Sequence, residues 1–342
     1  IFFGGMWDHW NVPLCDYDVE GKYDNTINFV VNFFQSKQIT PIHCDHFSKG
    51  KHSTELLTDT VCDFLQTRKK ENPFFTYLAY LAPHDPRTMP QKYIDMYDVN
   101  KITLPGNYMT EHPFRFGVEN IRDETLASQP RNEREIKQHL LEYYAMITHL
   151  DDEIGRIVET LRETGELDNT IIVITGDNGL AVGSHSLMGK QNHYDHSVRV
   201  PLIFSGPGIP KNQKADGFVY LLDIFPTLCE LCDIEIPETV EGKSFVQMFD
   251  NPNYKTRDTL YFAYNQLLRS VKDQRYKLIE YRNGAHRTQL FDLVNDPDEI
   301  NDLFGKPEYA DVVSKLKSTL LSYKDNWEDT GHKFTEEFWS KY

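Results

Sequence analysis

The chain has 342 residues, of which 39% are hydrophobic and 26% charged, and its formal net charge is -16. This length suffices for one large α/β domain with an appendage or for two domains. The net charge argues against nucleic acid and anionic membranes as general partners. No stretch approaches the roughly 18 apolar residues that a membrane-spanning helix needs, so no membrane span is predicted.

The first helical pattern begins at Ser53, which is interpreted as a helix cap with Glu55 in the first turn. The apolar run from Phe74 to Leu81 is typical of a strand buried on both faces. That run leads into the turn APHDP, which contains His84. Residues 88–131 are rich in proline and charge, and they are predicted to form a long ordered excursion over the surface.

Apolar residues return at helical spacing from Asn132 to Thr164, with Asn132 as the expected cap and Gly165 as the stop. The next stretch, IIVITGDNGLAVGSHSLMGKQ (residues 171–191), opens with a β-branched run that predicts a strand. A further strand is predicted at Val200 to Phe204. This alternation predicts an α/β fold with a mostly parallel sheet flanked by helices.

Beyond residue 250 the pattern changes to short β-type runs separated by turns, namely TLYFAY, LLRSVKD, RYKLIEY and TQLFDL. A helix is predicted from Pro307 to about Tyr323. These signals predict a small C-terminal antiparallel sheet with a helix. They divide the chain into a core, residues 1–250, and an α+β subdomain, residues 251–342.

Polar side chains follow two of the predicted strands. His84 comes after the first, and the pair Asp177–Asn178 comes directly after the second. Ligands of parallel α/β sheets bind beyond the carboxyl ends of the strands, so these residues are considered together. Oxygen-bearing side chains suit a hard cation such as Ca²⁺. Each residue alone has a plainer explanation, since Asp-Asn-Gly is a common turn sequence and Lys190 suits a solvated surface.

The segment TGDNGLAVGSHSLMGKQNHYDHSVRVPLIFSGPG, residues 175–208, resembles the type I, formylglycine-dependent sulfatases of the alkaline phosphatase superfamily. Four further segments match patterns of that family, namely YYAMITHLDDEIGRIVETLRETGELDNTIIVITGDNG, LAPHDP, DIFPTLCELCDI and TQLFDLVNDPDEINDL. The resemblance covers essentially the whole chain. It implies an alkaline-phosphatase-like fold and a sulfuric ester hydrolase that acts on a sulfated small molecule or glycan.

The resemblance also implies roles for individual residues. Asp177 and Asn178 would supply two of the four protein ligands of Ca²⁺, and Lys190 would contact the sulfate oxygens. His84 would lie near the bridging ester oxygen, as a sulfate contact or as the acid for the leaving group. Such groups stabilise the negative charge that develops as the S–O bond breaks. His185 would line the substrate pocket, although a loop histidine bonded to backbone is an equal alternative.

The sequence also departs from the family pattern. None of Cys15, Cys44 and Cys62 begins the C-x-P-S-R motif whose first residue becomes formylglycine, and the tandem aspartates that complete the calcium site are absent too. The chain is therefore interpreted as the middle and C-terminal part of a sulfatase, with the formylglycine expected in an upstream segment. We expect the chain alone to be nearly inactive, because it supplies neither a nucleophile nor a full calcium site.

Two alternatives remain open at this stage. The first is a phosphatase or phosphodiesterase of the same superfamily, with a Ser or Thr nucleophile and two zinc ions. The pair Asp177–Asn178, where a zinc member would carry Asp-His, favours the sulfatase. The second is a non-catalytic, truncated or pseudo-enzyme that binds sulfated glycans. The resemblance implies a periplasmic, extracellular or lysosomal location, and the sequence predicts no oligomeric state.

Overall fold

The computed structural model describes residues 52–85 and 87–342. The chain forms two compact units. The first contains the described residues up to Leu104 together with Leu126–Thr170, and the second consists of Pro105–Thr125 with Ile171–Tyr342. These units divide the chain in another way than the predicted boundary at residue 250, which stays a prediction. No helix among the described residues has the length and apolar character needed to cross a bilayer.

The described part of the first unit is built mainly from helices, namely α1 (Ser53–Thr67), α2 (Gln91–Ile94) and α3 (Glu133–Glu163). The side chain of Asn132 caps α3 by accepting hydrogen bonds from the backbone N–H groups of Arg134 and Glu135, at 2.9 and 3.2 Å. After α3, Gly165 adopts a φ of +75°, the left-handed conformation that ends helices. Both predicted ends of this helix are confirmed.

Helix α1 differs from the prediction by one residue at its start. The cap is His52, whose Nδ1 accepts a hydrogen bond from the backbone N–H of Thr54 at 3.2 Å. Ser53 is instead the first residue of the helix. An imidazole nitrogen can serve here because a cap requires only an acceptor aimed at an otherwise unsatisfied N–H group.

The apolar run from Phe74 to Leu81 does not form a strand, so that prediction is wrong. The side chains of Phe75 and Tyr77 are 79% and 83% exposed, and no described strand pairs with the run. A strand is stable only when its backbone groups find partners on a neighbouring strand. The run from Phe74 to Leu81 has the apolar composition of a strand, but it has no paired strand within the described part of the chain.

The second unit opens with β1 (Ile172–Thr175), helix α4 (Asp195–Val198) and β2 (Leu202–Ser205). Both strands lie close to their predicted positions, but they pair antiparallel, with Ile172 opposite Ser205. The parallel pairing expected from the alternating pattern is therefore wrong for these two strands. Because the intervening chain contains only the one-turn helix α4, it folds back along β1 and does not cross over it.

The rest of the second unit contains α5 (Ile224–Leu231), α6 (Gln247–Asp250), β3 (Leu260–Tyr264), β4 (Leu268–Lys272), β5 (Tyr276–Tyr281), β6 (Arg287–Asp292), α7 (Ala310–Asn326) and α8 (Lys333–Trp339). The four strands form an antiparallel sheet in sequence order. Leu278 and Leu290 pack with Leu316 and Leu320 of α7 in one buried cluster. The predicted C-terminal sheet with its helix is confirmed.

The segment from residue 88 to 131 is not the surface excursion that its composition predicts. Met89 and Tyr93 are buried in the first unit, and Phe116, Val118 and Glu124 are buried in the second. These side chains enter the interior from turns and short helices, so no periodic pattern marks them in the sequence.

Candidate functional site

Asp177 and Asn178 follow β1 and begin an irregular turn. Oδ1 of the exposed Asp177 accepts a hydrogen bond from the backbone N–H of Asn178 at 2.8 Å. Nδ2 of Asn178 donates to the carbonyl oxygen of Gly179 at 2.9 Å. Among the described residues, neither Asp177 Oδ2 nor Asn178 Oδ1 has a hydrogen-bond partner. Two side-chain oxygens therefore remain available to a cation at the end of β1.

Gly179 fixes the position of this turn against α4. Its backbone N–H donates to the carbonyl oxygen of Ser197 at 2.9 Å. A Cβ atom on Gly179 would lie 1.9 Å from the carbonyl oxygen of His196, a distance that no side chain tolerates. Only glycine allows the two backbones to approach so closely.

Lys190 stands at the end of a loop that closes on itself. The backbone N–H of Ala181 donates to the carbonyl oxygen of Gly189 at 3.0 Å. Ala181 lies three residues beyond Asn178, and Lys190 directly follows Gly189. The closure therefore brings the backbone next to the half-buried Lys190 to within a hydrogen bond of Ala181, three residues beyond Asn178.

A buried carboxylate holds the end of this loop. Glu124, which is 3% exposed, accepts hydrogen bonds from the backbone N–H of Met188 at 3.0 Å and from that of Gly189 at 2.9 Å. The segment containing Glu124 was interpreted as a surface excursion, so this residue was missed. The only sequence signal is the adjacent acidic pair Asp123–Glu124, which is common on protein surfaces.

The neighbouring Asp123 reaches the other side of Lys190. Oδ2 of Asp123 accepts a hydrogen bond from Nε2 of Gln191 at 2.8 Å. Oε1 of Gln191 in turn accepts from the backbone N–H of Lys190 at 3.0 Å. Two consecutive acidic residues thus hold the backbone around Lys190, Glu124 directly and Asp123 through Gln191.

His185 lies inside the loop and is buried. Its Nε2 donates to the carbonyl oxygen of Glu299 at 3.0 Å, and its backbone N–H donates to the carbonyl oxygen of Asn107 at 2.9 Å. The ring stacks on Tyr194 with centroids 3.8 Å apart. Burial lowers the pKa of His185 to about 4, although the hydrogen bond to Glu299 opposes the shift. These contacts are those of a neutral histidine that holds a loop.

A buried network of charges anchors α4 to the C-terminal sheet. The ammonium group of Lys277, fully buried, lies 2.5 Å from Oδ1 of Asp195 and 2.6 Å from Oε1 of Glu299. Lys272 contacts the same carboxylate of Asp195 at 2.9 Å. Burial alone would raise the pKa of Asp195, but the ammonium groups of Lys277 and Lys272 outweigh it and hold the pKa well below its usual range. No local sequence pattern marked this network.

His84 lies in the first unit, whereas Asp177, Asn178, His185 and Lys190 lie in the second. The Nδ1 atom of His84 is 2.7 Å from the carbonyl oxygen of Asp85 and 2.9 Å from its Oδ1. Asp85 is 5% exposed, and the side chain of His84 is 20% exposed. The neighbouring carboxylate thus orients the imidazole through Nδ1.

Two groups of described side chains could hold a metal ion. Asp177 and Asn178 offer only oxygen atoms, as a hard cation requires, but they supply two of the 6–8 ligands that Ca²⁺ takes. In the first unit, Glu55, His149 and Glu153 each offer one ligand atom, and these atoms lie within 4.8 Å of one another. This second group contains a nitrogen and was not predicted from the sequence.

Comparison with protein families gives two matches. The sulfatase model matches residues 5–234, and the model described as N-sulphoglucosamine sulphohydrolase, C-terminal, matches residues 183–326. An arylsulfatase of Clostridium perfringens is 30% identical over 294 residues, which cover 83% of this chain and 60% of the relative. The chain thus spans about six tenths of that relative.

Two further relatives carry names that state a substrate. An N-acetylglucosamine-6-O-sulfatase of Bacteroides thetaiotaomicron is 22% identical over 392 residues, covering 93% of this chain and 68% of the relative. An ulvan-active sulfatase of Formosa agariphila is 27% identical over 330 residues, covering 92% of this chain and 57% of the relative.

Solved structures share the fold. One is a complex with its substrate D-glucosamine-2-N,6-O-disulfate, with a TM-score of 0.70 and 23% identity over 83% of this chain and 71% of that chain. Another, the phosphonate monoester hydrolase of Agrobacterium radiobacter, also has a TM-score of 0.70 and 23% identity, over 80% of this chain and 60% of that chain. These similarities confirm the predicted alkaline-phosphatase-like α/β fold.

Proposed function

Because the chain belongs to the sulfatase family, we propose that it is the greater part of a sulfuric ester hydrolase that acts on sulfated carbohydrate. The family match covers residues 5–234, and the relatives include a sulfatase named for N-acetylglucosamine and one named for ulvan. A solved structure of the same fold was obtained with a disulfated glucosamine. The family binds a metal ion, and we propose that this ion is Ca²⁺.

The observation that carries the proposal is the geometry of the turn after β1. Asp177 Oδ2 and Asn178 Oδ1 have no hydrogen-bond partner among the described residues, and the loop that ends at Lys190 closes on Ala181, three residues beyond Asn178. We assign Asp177 and Asn178 to Ca²⁺, since their donor set consists of oxygen alone. When bound, Ca²⁺ supplies a fixed positive charge that polarises a sulfate oxygen.

In this proposal Lys190 binds the sulfate oxygens and offsets the charge that develops on them. A single ammonium is effective only if it is aimed before the reaction begins. The clamps from Glu124 to Met188 and Gly189, and from Gln191 to the Lys190 N–H, supply that preorganisation. Glu124 and Gln191 are thus positioning residues.

We assign His84 to the bridging oxygen of the ester, which becomes the leaving group. Asp85 orients the imidazole through Nδ1, and in this proposal the imidazole is the acid that protonates the leaving group. The contacts of His185 do not support its predicted role in substrate binding. The proposal assigns His185 the task of holding the loop that carries Lys190.

No cysteine of the sequence begins a C-x-P-S-R motif, so the formylglycine of the family has no position among these 342 residues. The proposed reaction belongs to the protein that contains both this chain and such a nucleophile.

The test is a substrate panel with the protein expressed from its full coding sequence. Sulfated monosaccharides and disaccharides, an activated aryl sulfate, a phosphate monoester and a phosphonate monoester are assayed with Ca²⁺ present. The proposal predicts turnover that is highest on a sulfated sugar and is lost after treatment with a calcium chelator. Turnover confined to the phosphate or phosphonate esters would contradict it and favour the alternative within the superfamily.

A further inference from the structure

Helices α1 and α3 bring together three metal-ligating side chains that the proposed reaction does not use. Glu55 lies in the first turn of α1, and His149 and Glu153 lie on α3. One ligand atom from each lies within 4.8 Å of the other two. Nε2 of His149 is 4.0 Å from Oε1 of Glu55.

The arrangement is a consequence of helix geometry. His149 and Glu153 are four residues apart, so their side chains lie on the same face of α3, one turn from each other. Glu55 approaches that face from the neighbouring α1. His149 is fully buried and Glu153 is 5% exposed, so the group lies inside the unit and not on its surface.

The imidazole of His149 is held in place by its neighbours. It stacks on Tyr93 with ring centroids 4.7 Å apart, and it meets the edge of His52 at 5.1 Å. A ring packed on two sides loses little further freedom when it binds a ligand. Preorganisation of this kind is what separates a binding site from a chance cluster of side chains.

We propose that Glu55, His149 and Glu153 form a binding site for a divalent cation of the zinc class, separate from the calcium ion of the proposed function. One imidazole nitrogen with two carboxylate oxygens is a donor set for Zn²⁺, whereas Ca²⁺ takes oxygen ligands. Bond lengths of about 2.0–2.2 Å place tetrahedral ligands roughly 3.3–3.6 Å apart. The helices would therefore contract slightly from the 4.0 Å separation of His149 and Glu55.

A cleft lies between α1 and α3, and Arg156 of its lining contacts Glu153. The cleft has a volume of about 380 Å³ and is lined by Asp59, Cys62, Arg156 and other residues of the two helices. Nη1 of Arg156 contacts Oε2 of Glu153 at 2.6 Å, and its Nη2 contacts Oδ1 of Asp59 at 2.6 Å. The guanidinium engages one oxygen of Glu153, so the other oxygen is the one assigned to the metal.

The experiment is a titration of the 342-residue chain with Zn²⁺ in the presence of excess Ca²⁺, followed by isothermal calorimetry. We expect Glu55→Gln and His149→Gln each to weaken one Zn²⁺ site by at least about tenfold. The matched control is Glu159→Gln on the same helix, whose carboxylate pairs with the exposed Arg162. This control should leave the titration unchanged.

Among the described residues of this unit, Cys62 is a competing zinc ligand, since it lines the adjacent cleft. If Cys62→Ala removes the site while Glu55→Gln retains it, the proposal is overturned. Equal binding by the wild type and Glu55→Gln overturns it as well. If His149→Gln does not fold, the test depends on Glu55→Gln. The side chain of Glu55 is 16% exposed, and glutamine has nearly the same shape as glutamate, so this variant should fold.

The zinc site and the proposed function can fail separately. In the protein expressed from its full coding sequence, Asp177→Ala should weaken calcium binding at the turn after β1, and in the 342-residue chain it should leave the Zn²⁺ titration intact. Loss of Zn²⁺ binding in Asp177→Ala would place the ion at the turn and contradict the present assignment. Failure of the substrate panel would not affect the zinc result, because that titration requires no turnover.

Discussion

The second unit uses aspartate and lysine in two opposite ways within a short stretch of chain. At the turn after β1, Asp177 is exposed and Lys190 is half-buried, and it is the backbone around them that is fixed. Eighteen residues after Asp177, in α4, Asp195 binds Lys277 directly. Oδ2 of Asp177 has no hydrogen-bond partner among the described residues, whereas the carboxylate of Asp195 is bound to Lys277 inside the fold.

The difference shows how an exposed site can be rigid. Buried charges are retained only when they are paired, and removing one partner is costly. Here the buried pair fixes α4, and α4 fixes the turn through the hydrogen bond from Gly179 to Ser197. Substitutions in the buried pair should therefore change stability, whereas substitutions at the turn should change ligand binding.

The largest loss of stability is expected for Lys277→Met. The substitution leaves the buried Glu299 without its ammonium partner and removes one of the two cations on Asp195. Loss of one partner of a buried pair costs about 3–5 kcal/mol. Urea denaturation should show this fall in the free energy of unfolding. A loss no greater than that of Lys190→Met would contradict the comparison.

A smaller loss is expected for Glu124→Gln, since an amide has one acceptor oxygen and no charge to offer the N–H groups of Met188 and Gly189. Hydrogen bonds to charged groups contribute about 1.5–3 kcal/mol. Hydrogen exchange at Met188 and Gly189 should accelerate along with the fall in stability. Glu111→Gln, an exposed glutamate of the same unit, is the control and should change neither quantity.

Burial lowers the pKa values of His112, His139, His193 and His196, and His185 adds to the resulting pH dependence of stability. Burial lowers the pKa of His185 to about 4 in the folded protein, so below the ordinary pKa near 6.5 the unfolded chain takes up the proton first. The free energy of unfolding should then fall as the pH decreases from about 6.5 to about 4, by about 1.4 kcal/mol per pH unit for one proton. His185→Asn should reduce this slope. An equal reduction in the exposed-histidine control His286→Asn would show that the slope has another source.

The smallest change in stability is expected for Asp177→Asn. The side chain is exposed, and such substitutions usually change the free energy of unfolding by no more than about 0.5 kcal/mol. Calcium binding, measured by calorimetry on the same samples, should nevertheless weaken because a ligand charge is lost. A destabilisation comparable with that of Lys277→Met would show that Asp177 is a structural residue.

Elements that depend on neighbouring residues in the sequence were predictable. The cap at Asn132, the stop at Gly165 and the four strands after residue 250 all depend on local side chains and were confirmed. The positions of β1 and β2 followed from their β-branched runs, but their antiparallel pairing depends on the path of the intervening chain.

Contacts between distant residues were not predictable. Glu124 holds a loop 64 residues away, and Lys277 pairs with Asp195 across 82 residues. Such partners leave no periodic trace, because a buried charge and a solvated one look alike in a sequence. The strand prediction for Phe74 to Leu81 is wrong for the same reason, because a strand needs a partner that lies elsewhere in the chain.

The most direct test of the central claim is the effect of Lys190→Met on kcat/KM in the protein expressed from its full coding sequence. Removal of one preorganised group that stabilises transition-state charge should lower this value by about 10²–10³-fold. Lys214→Met, at an exposed lysine of the same unit, should leave it unchanged. A Lys190→Met enzyme as active as the Lys214→Met control would contradict the assignment of this loop to the sulfate site.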